Sequence, residues 1–386
     1  MQSLKTGERH ILNVRGEMAR YVAPGYLVVA RNGTLMAAPF SLNAFKTTEP
    51  LQSILDDVAG DPGSGISYFD VSRTGALVFI AGTGSAELEL VSVSLDGSVE
   101  PLPLPHDAYS VPRISPDGTK LAVTIGRAYG TDNDIWIYDL ETGVFSRFTF
   151  GQSMWNPVWS RDSRRLYFAS GLAGKQGVMV KPVDGSQNRE LIFHSEKPFY
   201  PLSVSPDEKK MVLAQVGGSG DGDIFILDLQ KEAQPRNLFN SATYEYGGLI
   251  SPDGRYLAYG SNETGRLEAF ISSYPDLIGK WQVSNRGGHY GYWSPDGRFL
   301  YFNSSQAKMM ATPIQTKPVF SIGQTRALFD VSQIVLPNQP TLNYDISPDG
   351  KHFIMIRNIG YDSSTTKFNV ILNWLAELEG RFGTHD

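Results

Sequence analysis

The chain has 386 residues, of which 41% are hydrophobic, 11% aromatic and 19% charged, enough apolar material for a large core and too little charge for a disordered chain. Lys and Arg number 34 against 40 Asp and Glu, a net charge of −6 with no basic run, so nucleic acid is not an expected partner. Zero cysteines exclude disulfides, thiolate metal sites and cysteine nucleophiles, and 39 glycines with 23 prolines call for frequent turns and an all-β fold.

The first twelve residues carry Lys5, Glu8 and Arg9 and no apolar stretch of the signal-peptide kind. They read instead as the stub of a third strand, a Thr6-Gly7 turn and a fourth strand over residues 8–12. Further on, apolar stretches such as residues 76–81 are strand-sized, well short of the roughly 18 residues of a membrane span.

A repeat follows. Ser115-Pro116-Asp117-Gly118, Ser160-Arg161-Asp162-Ser163, Ser205-Pro206-Asp207-Glu208, Ser251-Pro252-Asp253-Gly254, Ser294-Pro295-Asp296-Gly297 and Ser347-Pro348-Asp349-Gly350 begin 45, 45, 46, 43 and 53 residues apart. Ser72-Arg73-Thr74-Gly75 is a degenerate copy upstream, and Ala23-Pro24-Gly25 a weaker one. Around each copy the pattern predicts a strand before the motif and one after it. A third strand follows, as in Asp134-Ile135-Trp136-Ile137-Tyr138-Asp139-Leu140, and then a fourth. Four antiparallel strands per roughly 45 residues is the signature of a propeller blade.

Serine opens a β-turn, proline presets the next backbone angle, and glycine tolerates the left-handed exit, so the motif marks a hairpin and not a metal loop. The spacing therefore predicts a single β-propeller over residues 1–386, with eight blades and seven as the alternative. Residues 15–58, 59–104, 105–150, 151–195, 196–240, 241–285 and 286–331 form blades one to seven and 332–382 the last. Residues 1–14 supply the closing strand, which pairs with the last blade and removes an exposed sheet edge.

The hairpin motifs, the Asp134–Leu140 strand and the segments Asn262-Glu263-Thr264-Gly265-Arg266 and Gly279-Lys280-Trp281-Gln282-Val283-Ser284 resemble TolB-like, WD-type bacterial β-propellers. The likeness extends to the propeller region found C-terminal to bacterial serine/threonine kinases and winged-helix regulators, which ends in a segment like Asn369-Val370-Ile371-Leu372-Asn373-Trp374. That resemblance implies a protein-interaction role, extracytoplasmic in some relatives, and a fragment of a larger signalling protein. His-Arg-Asp, Asp-Phe-Gly, a P-loop and Gly-x-Ser-x-Gly are all missing from the sequence, so it does not carry over kinase or serine-hydrolase chemistry.

Counting back from each motif serine, the entry to each first strand holds the candidate binding residues. They are Tyr109, Arg113, Trp155, Asn156, Tyr200, Tyr244, Glu245, Tyr246, Tyr290, Tyr292, Asn343, Tyr344 and Asp345. The position five before the serine reads Ser110, Trp155, Tyr200, Tyr246, His289 and Leu342, a ring of aromatics with polar tips suited to a ligand-stacking mouth. The alternative is that these rings pack between blades. His106, His194 and His289 fall near such loops with carboxylates close in sequence, the raw material of a divalent-metal site.

Two functional classes remain open. One is a non-catalytic binding or sensor propeller, a monomer that recognises a protein, peptide or small ligand at the channel mouth. The other is a divalent-metal-dependent hydrolase of esterase, lactonase or phosphotriesterase type with its site in the channel. Asp-rich turns around Asp134 and Asp223 fall short of a full calcium loop.

Overall fold

In this computed structural model the described residues are 18–31, 33–61, 66–81, 88–126, 133–150, 153–171, 176–216, 222–231, 234–239, 243–334, 343–359 and 367–383, with residues 7, 9, 11, 12, 14 and 16. Among the described residues the protein is all-β apart from one helix, and most of its sheets are four-stranded and antiparallel. Two compact units divide the chain. Leu88–Asn358 is continuous, whereas Met1–Glu87 joins Ile359–Asp386 in the other.

The continuous unit contains six sheets. Sheet I is Tyr109–Ile114, Lys120–Ile125, Asp134–Asp139 and Phe145–Arg147; sheet II is Met154–Trp159, Arg165–Ser170, Gly177–Pro182 and Glu190–His194. Sheet III is Phe199–Val204, Lys210–Val216, Gly222–Asp228 and Arg236–Asn237; sheet IV is Glu245–Ile250, Tyr256–Ser261, Glu268–Ser273 and Lys280–Gln282. Sheet V is Gly288–Trp293, Phe299–Ser304 and Lys308–Gln315, the last pairing with both Ser321–Ile322 and Arg326–Asp330. Sheet VI is Tyr344–Ile346, His352–Asn358, Leu88–Ser94 and Val99–Pro101.

The motif serine organises each hairpin. Ser115, Ser205 and Ser294 donate to Asp117, Asp207 and Asp296 at 2.6 Å and accept the N–H five residues on at 2.9 Å. Gly118, Gly254, Gly297 and Gly350 take φ near +70°, the backbone region where a side chain is strained. Ser163 and Glu208 occupy the same region, and each bonds across to a neighbouring sheet. Asp117 N–H donates to Ser163 Oγ at 3.1 Å, and Arg161 N–H to Glu208 at 2.6 Å. At the other junctions the glycine lies over the previous motif's proline: Gly254 on Pro206, Gly297 on Pro252, Gly350 on Pro295 and Gly118 on Pro348. The six motifs thus touch in a closed circle from sheet to sheet, and the hairpin is also an inter-sheet joint.

Closure differs from the sequence expectation. The inner pair of sheet VI is completed by Leu88–Ser94, which runs in register from Leu88 opposite Asn358 to Ser94 opposite His352, and not by residues 8–12. Glu8 and His10 lie outside the described residues. Leu88, Leu90, Val91 and Val93 are all buried, a pattern that needs a neighbour on both faces and both edges, as this position provides. The units expected over 59–104 and 332–382 have therefore exchanged outer strands: Leu77–Ile80 pairs with Phe69–Val71 on one edge and with Phe368–Ile371 on the other. Where the repeat spacing suggests one ring of eight over the whole chain, six sheets share one unit and the remaining strands build another.

That second unit holds a sheet of Met18–Val22, Tyr26–Arg31 and Thr34–Ser41, with Lys46–Thr47 and Gln52–Leu55 both on Thr34–Ser41, alongside the three-stranded exchange sheet. The helix Trp374–Phe382 buries Trp374, Leu378 and Phe382, spaced four apart on one face, in a core with Tyr26, Leu35, Phe69 and Leu77. Among the described residues no helix is long and apolar enough to cross a membrane.

Candidate functional site

The first strands of sheets I to VI pack on one another around the ring, so their side chains form its inner wall. In sheets I to V the first strand slips register between the residue five before and the residue two before the motif serine. Residues three apart on a regular strand would face opposite sides. The bulge turns both to the same face, and Val111, Asn156 and Gly247 mark it with φ of 51°, 53° and 71°.

The two-back positions are Arg113, Val158, Ser203, Leu249, Tyr292 and Asp345, and they join the sheets. Asp345 accepts the Ile114 N–H at 2.7 Å and the Tyr292 hydroxyl; Ser203 Oγ donates to Gly248 O at 2.9 Å. Trp159 and Trp293 donate their indole N–H to the carbonyls of Arg113 and Leu249 at 2.9 and 3.1 Å. Arg113 donates to the carbonyls of Pro112 and Tyr344 at 2.7 and 3.3 Å. Burial raises the Asp345 carboxyl above its ordinary value even with Arg113 and three donors beside it, and pushes the Tyr292 and Tyr344 hydroxyls far up. Asn343 accepts the Val111 N–H at 3.1 Å. Of the sequence candidates, Arg113, Tyr292, Asn343, Tyr344 and Asp345 therefore form a buried network across sheets V, VI and I.

The five-back residue faces the residue fourteen positions later on the second strand. Trp155 stands over Ala169, Tyr200 over Ala214 and Tyr246 over Gly260, whereas Ser110 is opposite Thr124 and His289 opposite Asn303. An aromatic ring fills the hole left by Ala or Gly. Tyr200 and Tyr246 are 5% and 2% exposed and belong to the cores between sheets, so the expected mouth of accessible aromatics is corrected at these two positions. Burial pushes the Tyr200 hydroxyl to about 12. Trp155, half-buried, meets Tyr200 edge-on at 6.4 Å, and Tyr244 stacks on Tyr246 at 5.6 Å. Tyr109 is buried with its hydroxyl on Pro105 O, and Glu245 is buried beside Thr243. Tyr290 lies in a strand, but its side chain falls outside the described residues, as does Leu342.

Among the described residues the unsatisfied buried polar atoms, Tyr274 Oη apart, lie at the same end of the ring. Among the described residues, buried atoms with no hydrogen-bond partner include Thr124 Oγ1, both amide atoms of Asn133, Trp155 Nε1 and Asn156 Nδ2 in sheets I and II, and both amide atoms of Asn303 in sheet V. Thr124, Asn133 and Asn303 are 0% exposed and Asn156 is 4% exposed. Asn133 rests on Gly126, where a Cβ would meet its Oδ1 at 2.0 Å, and its carbonyl accepts the Met154 N–H of sheet II at 3.0 Å. Sequence reading picks out Trp155 and Asn156 but misses Asn133, and also Thr124 and Asn303, to which the fourteen-residue pairing points.

The histidines do not converge. His106 is exposed before sheet I, His194 ends an outermost strand with Nδ1 3.0 Å from Gln176 O, and His289 is half-buried on a first strand, its imidazole pKa lowered by burial. Among the described residues no three His, Cys, Asp or Glu side chains are grouped to hold a metal ion. Asp134 instead ties its strand to the next, accepting from Thr149 at 2.6 Å and from Arg147.

Residues 105–273, sheets I to III and the first three strands of sheet IV, match the family profile described as the TolB beta propeller domain. The chain carries a TolB-like β-propeller. Curated relatives of bacterial origin include the Tol-Pal system protein TolB of Francisella tularensis subsp. tularensis (strain WY96-3418), 25% identical over 156 residues, which are 40% of this chain and 36% of that protein. The match thus spans about a third of the relative's length. Among solved structures, a putative TolB from Agrobacterium tumefaciens superposes with a TM-score of 0.57 at 18% identity, covering 71% of this chain and 99% of that one. At that identity the likeness is one of fold. The family match takes in the motif hairpins at Ser115, Ser160, Ser205 and Ser251 of the TolB-like propeller.

Proposed function

We propose that Leu88–Asn358 is a six-bladed propeller acting as a non-catalytic binding module. Its ligand, a peptide segment of a partner protein, docks at the end of the ring where the first strands begin. The observation that carries this reading is the set of buried, unpartnered amide and hydroxyl atoms of Thr124, Asn133, Asn156 and Asn303. A buried polar atom left unpaired costs about 1–3 kcal/mol, so such a cluster is what a ligand with its own donors and acceptors would complete. A peptide backbone offers both. The TolB relatives, named as Tol-Pal system proteins, are in keeping with a binding role.

The hydrolase alternative finds no group of three ligating side chains among the described residues. A panel of soluble peptides examined by ligand-observed NMR tests the proposal. Hits on the parent protein are expected to weaken at least tenfold in Thr124→Val and Asn303→Leu, which keep volume and remove the polar atoms. Chelator-sensitive turnover of ester, lactone or phosphotriester substrates would overturn it, as would hits indifferent to both substitutions.

A further inference from the structure

A cleft of about 420 Å³ opens between sheets I and II, lined by residues of their outer strands and the turns that follow. Its floor and rim are apolar, from Val144, Phe148 and Phe150, with Val144 57% and Phe150 65% exposed. Its charge is positive, in a protein of net charge −6. Lys120 is offset by Asp139 at 3.3 Å, and Arg147 by Asp134.

Lys181 differs. Its ammonium donates to Phe148 O at 2.8 Å and sits 4.4 Å from the centre of the Phe148 ring, and no carboxylate pairs with it among the described residues. Nearby Arg189, likewise without a carboxylate among those residues, donates to Phe150 O at 3.2 Å. Burial and the Arg189 charge lower the Lys181 pKa, the sign of a cation lacking its counter-charge. A half-buried ammonium uses one of its three donors on a carbonyl and stands over aromatic surface.

We propose that this cleft is a second binding site, for an organic carboxylate whose charged group pairs with Lys181 and Arg189 and whose aromatic or aliphatic body lies on Val144, Phe148 and Phe150. The cations supply direction and the exposed ring supplies apolar area, so neither a bare anion nor a neutral aromatic would satisfy both halves. The site is independent of the ring end described above.

Isothermal titration with 3-phenylpropionate tests it on the full chain, with 3-phenylpropionamide, inorganic phosphate and N-acetyl-Ala-Phe as comparison probes. The propionate is expected to bind at least tenfold more tightly than the amide or phosphate. N-acetyl-Ala-Phe separates a free carboxylate from a peptide C-terminus by which of the two binds more tightly, and either order upholds the proposal. Lys181→Met, which keeps the aliphatic stem, is expected to lose tenfold or more, Lys181→Arg to restore most of it, and Phe150→Ser, at an exposed position, to lose several-fold without affecting folding. Equal binding of acid and amide, equal binding of phosphate and acid, or unchanged binding in both Lys181→Met and Phe150→Ser would overturn it. Asn303→Leu is expected to leave this binding unchanged.

Discussion

On the side of the ring formed by sheets II, III and IV, the residue five before the motif serine is Trp155, Tyr200 or Tyr246, set over Ala169, Ala214 or Gly260. On the side formed by sheets V, VI and I the same layer holds His289 with Asn303 and Ser110 with Thr124, and the layer beneath holds Tyr292, Asp345 and Arg113. In sheets I to V the backbone is equivalent on both sides, down to the bulge. One side spends the position on packing and the other on polar groups, two of which carry unpaired atoms. A shared offset from a repeat motif fixes where a side chain stands, and its cross-strand partner decides what it does there.

The largest effect that tests this contrast is Tyr246→Ala, expected to cost about 3–5 kcal/mol in urea unfolding because a ring in the inter-sheet core leaves a cavity. A loss under 1 kcal/mol would return Tyr246 to the rim. Asp345→Leu is expected to cost about 3 kcal/mol by stranding the buried Arg113 charge, and Arg113→Met in the same chain to recover much of it; an additive double variant would show that the two do not act together. Gly260→Ala is expected to cost about 1–3 kcal/mol, since its Cβ would stand 2.2 Å from the Tyr246 ring.

On the polar side, Asn303→Leu is expected to change stability by less than about 1 kcal/mol or to raise it, as a buried amide with no partner is removed. A large loss would reveal a structural bond there. The smallest effects concern the motif aspartates common to both sides. The serine hydroxyl and a backbone N–H hold Asp162, Asp207 and Asp349 below the usual 3.8. They contribute stability above that pH, and it is lost as the pH falls through their folded-state values. Asp162→Asn and Asp349→Asn, from opposite sides, should each flatten the drop in unfolding midpoint between pH 6 and pH 3 by a similar amount.

Much of the fold was legible because the hairpin motif is local: Ser205, Asp207 and Lys210 bond within six residues, so spacing alone places sheets I to V. The ring count and closure were not, because the third-strand partner of His352–Asn358 comes from the far end of the unit. Leu88–Ser94 and Phe368–Ile371 both read as acceptable third strands for either hairpin. Candidates such as Arg113, Trp155, Tyr200, Tyr246 and Tyr292 lie on the first strands that the motif spacing picks out, whereas Tyr244, Asn343 and His106 precede those strands and His194 ends an outermost one. The burial of Tyr200 and Tyr246 depends on Ala214 and Gly260, fourteen residues away on the facing strand, and Asn303 lies in a second strand that counting back from the serine does not reach.

The pairing of Leu88 with Asn358 also sets an order in time. Sheet VI takes its outer half from the first residues of the unit to be synthesised and its inner half from the last. On a ribosome adding roughly 5–20 residues per second, Leu88–Ser94 waits on the order of tens of seconds for its neighbour. Through that wait, a strand with four apolar side chains destined for burial has an unpaired edge. Sheets I to V can each form from consecutive residues as they emerge, but the ring shuts only after translation has passed Asn358, which makes closure the slow, non-local step of its folding.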